Sequence, residues 1–87
     1  MPNQTILIVD DEDQIREILS LFFREEGFSV IEAADGNTAL HMVETMHPNI
    51  IILDIIMPQP DGIKVSRQIR QFSPLPIIML TARTEDH

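Results

Sequence analysis

Four short runs of β-branched and aliphatic residues punctuate the chain: Ile6 to Val9, Ser29 to Glu32, Ile50 to Leu53 and Pro76 to Leu80. The first and third are continuously apolar rather than alternating, which predicts strands buried on both faces of a parallel sheet. The second, within "FSVIEA", is more mixed and suits a strand nearer a sheet edge.

Helical spacing fills the intervals. Over 13–26, Ile15, Ile18, Leu19 and Phe22 recur at i, i+3, i+4 and i+7 and predict a core-facing stripe, with Gly27 as the stop. Over 37–46, Ala39, Met42, Val43 and Met46 repeat that spacing between Gly36 and Pro48, and all four read as core. Over 62–72, Val65, Ile69 and Phe72 point inward and Lys64, Arg67 and Arg70 outward, and Ser73-Pro74 ends the pattern. The order βαβαβαβ predicts parallel strands joined by right-handed crossovers in a doubly wound α/β sheet. Such sheets bind ligands beyond the carboxyl ends of their strands, near the point where strand order reverses.

The strand ends carry the candidate chemistry. The first run leads into "DDEDQ" with Asp10 and Asp11, the third into Asp54, and the fourth into Thr81-Ala82. Taken alone, "DDEDQ" also reads as an acidic helix start, with Glu12 or Asp13 as cap. Likewise "LDIIMPQPDG" reads as loop punctuation. Taken together, three carboxylates and a hydroxyl at one edge of a sheet make a site. Carboxylates packed this closely repel one another, so a positive partner is expected beside them. Oxygen ligands without cysteine or histidine favour a hard cation, and a site leaving room for water and phosphate oxygens suits Mg²⁺.

Composition narrows the partners. Fourteen acids against 6 bases give a net charge of −8, which argues against direct nucleic-acid binding by this segment. No cysteine is present, excluding disulfide and thiolate chemistry. With 87 residues, 44% of them hydrophobic and 23% charged, one small domain is expected. The start "MPNQTILIVDD" lacks a signal-peptide pattern, and no run reaches the roughly 18 apolar residues of a membrane span, so a cytoplasmic location is expected.

The strings "ILIVDDED", "IIILDIIMPQPDG" and "PIIMLTA", in this order and spacing, resemble the receiver domain of two-component response regulators. The resemblance implies a flavodoxin-like doubly wound parallel sheet of strand order 2-1-3-4. It implies Asp54 as phosphoacceptor, taking a phosphoryl group from the phosphohistidine of a sensor histidine kinase or a phosphotransfer domain. Asp11 would ligate Mg²⁺ directly, Asp10 largely through water, and Asp54 and the backbone carbonyl of Ile56 would complete the protein's share. Thr81 would be the switch hydroxyl, and the small Ala82 beside it would keep the pocket open. Ile56 and Arg83 look like tuners of phosphoryl lifetime. The first helix, near Ile15 and Leu19, is the candidate surface for kinase docking.

Relatives continue with a helix, a fifth strand ending in Lys-Pro and a final helix, whereas this sequence ends at "TARTEDH". Residues 1–87 are therefore expected to be the N-terminal part of a single receiver domain, lacking the fifth strand and the last two helices. Its one lysine, Lys64, falls in the third helical pattern, so poor phosphorylation of the isolated chain is expected. The edge of the fourth strand would then be open to homodimer formation or exchange of elements.

Rival classes remain distinguishable. A Mg²⁺-dependent phosphohydrolase with an aspartate nucleophile carries a second acid two residues on, where this chain has Ile56. A flavin binder of this topology would not place acids at the flavin phosphate. A non-phosphorylated interaction module would keep the fold alone. His41 and His47 read as surface or capping residues rather than relay or metal ligands.

Overall fold

The computed structural model describes residues 4–80. Its elements follow the predicted order: β1 (Thr5–Val9), α1 (Asp13–Glu25), β2 (Ser29–Ala33), α2 (Gly36–Met46), β3 (Ile50–Asp54), α3 (Gly62–Arg70) and β4 (Ile77–Leu80). All pairings are parallel and the strand order is β2-β1-β3-β4, as expected of a flavodoxin-like sheet. Between β1 and β2 the chain crosses to one side of β1 and between β2 and β3 to the other, so strand order reverses at β1 and β3.

Pleating divides the core into two layers. Leu7, Val9, Ile51 and Leu53 face Ala39 and Val43 of α2 and Val65 and Ile69 of α3. The alternate residues Ile6, Ile8 and Ile52 face Leu19 and Phe23 of α1. The two apolar runs are buried on both faces, as their lack of alternation requires. β2, the more mixed run, lies at a sheet edge.

Backbone chemistry sets the boundaries. Asp35 and Asp61 cap α2 and α3, their carboxylates accepting from the Thr38 and Lys64 N–H groups at 2.8 and 2.9 Å. After α1, Gly27 adopts φ +100°, a left-handed conformation open to glycine. The Gly27 and Phe28 N–H groups donate back to the Arg24 and Phe23 carbonyls, each at 3.0 Å. The Phe23 and Phe28 rings meet edge to face, 5.9 Å between centroids, completing the apolar contact that accompanies such a helix end. His47 closes α2 in the left-handed conformation, as its capping reading expects.

Four expected core positions are instead exposed. On α1, Ile18 and Phe22 are 64% and 55% exposed, and the helix turns Arg16, Leu19, Ser20 and Phe23 to the sheet. Both sets obey i, i+3, i+4, i+7, so periodicity alone cannot choose between them. What decides is polar pairing: Ser20 Oγ donates to Glu32 Oε2 at 2.8 Å and Arg16 Nε donates to Glu32 Oε1 at 3.2 Å, anchoring that face to β2. Met46 and Phe72 are likewise exposed, because α2 ends at Met46 and α3 ends at Arg70, before the phenyl ring can turn inward.

Candidate acidic metal site

Parallel pairing of β1 with β3, Val9 opposite Leu53, brings Asp10 and Asp54 to the same edge of the sheet. Carboxylate oxygens of Asp10, Asp11 and Asp54 lie within 4.8 Å of one another. Asp10 and Asp54 are buried, at 3% and 4% exposure, although they end strands rather than sit within the core. The three acids read from widely separated segments therefore converge, as expected. Thr81, Ala82 and Arg83 lie outside the described residues.

Each acid is held differently. Asp10 donates its N–H to the Ala33 carbonyl at 3.2 Å and accepts the Glu12 N–H on its carboxylate at 2.8 Å. Glu12 occupies the N-cap position of α1 without capping it through its side chain, so it is Asp10 that ties down this turn. Asp54 accepts the Ile56 N–H on Oδ1 at 3.2 Å. Asp11 Oδ1 is buried with no hydrogen-bond partner among the described residues.

A buried, unpartnered carboxylate oxygen is costly unless a cation meets it. Desolvation by burial pushes the Asp10 carboxyl above its ordinary value, the Glu12 N–H opposes this, and the charges of Asp54, Asp11 and Glu12 push it higher. The all-oxygen donor set and the orphaned Asp11 oxygen fit Mg²⁺. A cavity of about 340 Å³ between Val43, His47, Pro48, Phe72 and Leu75 lies elsewhere, at the C-terminal ends of α2 and α3. Glu44 and Ser73 also line it, and the one cluster of carboxylates among the described residues is the one at the strand ends.

Arg16 is not the positive partner expected of the carboxylates themselves, since it meets the site only through the Asp10 main-chain carbonyl. Its side chain is 15% exposed, pairs with Asp13 and Glu32 at 2.6 and 3.2 Å, and donates through Nη1 to the Asp10 carbonyl at 2.8 Å. Burial works against its charge, but hydrogen bonds to Asp13 and Glu32 hold the guanidinium above its ordinary pKa. Sequence reasoning passed over Arg16, Ser20 and Glu32. The available signal was one charged residue within the strand run "SVIEA", and Arg16 on a stripe shared with Leu19, Ser20 and Phe23.

The family model of the response regulator receiver domain matches residues 6–87. The chain belongs to this family. It is therefore a receiver domain sequence of a two-component response regulator. The alkaline phosphatase synthesis transcriptional regulatory protein PhoP of Bacillus subtilis (strain 168) is 45% identical over 85 residues, covering 97% of this chain and 35% of that protein. A probable transcriptional regulator, ycf27 of Porphyridium aerugineum, is also 45% identical, over 98% of this chain and 35% of its own length. The chain thus spans about a third of the length of the curated relatives it matches. Among solved structures, the response regulator TrrA of Thermotoga maritima in complex with Mg(2+)-BeF is similar at TM-score 0.87 and 39% identity, over 93% of this chain and 71% of that one. The Vibrio cholerae chemotaxis protein CheY4 is similar at TM-score 0.88 and 33% identity, over 97% of this chain and 72% of that one. No described helix is long and apolar enough to cross a membrane.

Proposed function

We propose that this receiver accepts a phosphoryl group on Asp54 from the phosphohistidine of a sensor histidine kinase or phosphotransfer domain. The observation that carries this reading is the meeting of Asp10, Asp11 and Asp54 at the ends of β1 and β3, with one Asp11 oxygen buried and unpartnered. The solved TrrA complex with Mg(2+)-BeF supports the same chemistry by similarity.

In this reading an Asp54 carboxylate oxygen forms a new P–O bond as the P–N bond to the donor imidazole breaks. The bonding electrons leave with the imidazole nitrogen. The Ile56 N–H holds Asp54 Oδ1 and orients the carboxylate for that attack. Asp10, Asp11 and Asp54, with the Ile56 carbonyl, would hold Mg²⁺. When bound, this ion supplies positive charge to offset the carboxylates and the phosphoryl oxygens. Thr81 is assigned the switch hydroxyl and Ala82 the small neighbour that leaves room for the phosphoryl group. Ile56 has no proton to give a leaving group, which favours a phosphoacceptor over a phosphohydrolase. The transcriptional regulators among the relatives suggest that the whole protein controls transcription.

The test is Mg²⁺ titration followed by beryllofluoride, a phosphoryl mimic. Saturable Mg²⁺ binding, and beryllofluoride uptake that requires both Mg²⁺ and Asp54, are expected. Mg²⁺ binding that is absent, or beryllofluoride uptake that is unchanged by Asp54→Asn, would overturn the reading, and turnover of a phosphate ester would favour the hydrolase. A second reading, an interaction module that pairs through β4, draws on the exposure of Ile78 at that strand. Light scattering after size exclusion tests it, a dispersed monomer at high concentration counting against it.

A further inference from the structure

We infer that Arg16 is a positioning residue of the acidic site, fixing the peptide plane between Asp10 and Asp11 and so the direction in which Asp11 presents its carboxylate. This inference rests on the proposed Mg²⁺ site and deepens it.

The argument begins with peptide planarity. The Asp10 carbonyl and the Asp11 N–H share one rigid plane, so fixing the carbonyl oxygen limits ψ of Asp10 and φ of Asp11 together. Arg16 Nη1 donates to that oxygen at 2.8 Å. On the other side of Asp10, its N–H is held by the Ala33 carbonyl and its carboxylate by the Glu12 N–H. Asp11 Oδ1 is itself buried and unpartnered among the described residues. Its aim is therefore inherited from the main chain before it.

Arg16 can hold the carbonyl because the guanidinium is fixed from three directions. Nε donates to Glu32 Oε1 on β2, Nη2 to Asp13 Oδ1 one turn earlier on α1, and Nη1 to Asp10. Glu32 is braced in turn by the Ser20 hydroxyl at 2.8 Å. A planar fork can satisfy these directions at once; the single ammonium of lysine cannot.

Metal selectivity separates this role from simple charge. Removing a cation near three carboxylates strengthens binding of any divalent ion, and by the same electrostatic amount for Mg²⁺ and Ca²⁺. The ratio of their affinities cancels that effect and reports geometry. Mg²⁺ demands near-ideal octahedral ligands, whereas Ca²⁺ accepts irregular ones. A site whose Asp11 is less well aimed loses Mg²⁺ affinity relative to Ca²⁺.

The experiment measures both dissociation constants by calorimetry on the 87-residue chain and its Arg16→Lys, Arg16→Ala, Val43→Ala and Asp11→Asn variants. Far-UV circular dichroism checks that each is folded. The Mg²⁺ preference over Ca²⁺ is expected to fall by about tenfold in Arg16→Lys and Arg16→Ala, the lower end of the loss seen when groups that orient metal ligands are removed. Val43→Ala, in the opposite layer of the core, should leave the ratio unchanged. An unchanged ratio in folded Arg16→Lys overturns the inference while leaving the metal site standing. An equal fall in Val43→Ala overturns it as well, since general loosening would then suffice. If the unmodified chain binds no Mg²⁺, or binds it independently of Asp11, the proposed function fails and the inference with it.

Discussion

Gly62 lies against the main chain of Asp54, and a β-carbon at position 62 would overlap the Asp54 carbonyl oxygen and the Ile55 Cα. The Gly62 N–H also donates to the Ile55 carbonyl at 3.1 Å, and the neighbouring Asp61 caps α3. The start of α3 is thereby seated on the end of the strand that delivers Asp54. In the "DG" of the sequence, the aspartate serves the helix and the glycine permits the close approach.

Gly62→Ala should destabilise the fold by about 1–3 kcal/mol, because the added methyl group must push β3 and α3 apart. The same shift should weaken Mg²⁺ binding. Urea denaturation and Mg²⁺ titration of the variant check both outcomes.

The raised pKa of Asp10 gives the metal-free protein a definite pH dependence. The native state holds this proton more tightly than the unfolded chain, so stability falls as pH rises from the ordinary value of 3.8 through the higher native pKa. Asp35 and Asp61 work the other way: hydrogen bonds led by the Thr38 and Lys64 N–H groups lower their pKa, and their contribution is lost as pH falls below 3.8. Comparing the chain with Asp10→Asn isolates the first effect. At neutral pH without metal, Asp10→Asn should be the more stable of the two in urea denaturation. That advantage should shrink toward pH 3.8.

Metal should act on stability through Asp11. At a Mg²⁺ concentration of about 100 times its dissociation constant, linkage gives about 2.7 kcal/mol of stabilisation. A rise in Tm with Mg²⁺ that disappears in Asp11→Asn is expected, followed by thermal unfolding at fixed ionic strength.

The two apolar stripes of α1 should respond differently to substitution. Phe23→Ala removes a ring packed against Ile6, Ile8 and Ile52 and against Phe28, and should cost roughly 2 kcal/mol or more. Ile18→Gln, on the exposed side, should change stability by no more than about 0.5 kcal/mol. Denaturant midpoints of the two variants compare the faces directly.

The sequence by itself determined the element order, the parallel sheet and the location of the acids at strand ends. Those features follow from local rules: unbroken apolar runs need cover on both faces, and Gly27 marks a helix end by backbone chemistry alone. Only the tertiary structure decided which face of α1 turns inward, because Ile15-Ile18-Leu19-Phe22 and Arg16-Leu19-Ser20-Phe23 share one period and a partner on β2 selects between them. The same holds for the basic neighbour of the acids. Arg16 reaches the Asp10 carbonyl only once α1 folds back onto β1 and Glu32 arrives from β2, a meeting in space that spacing along the chain does not express.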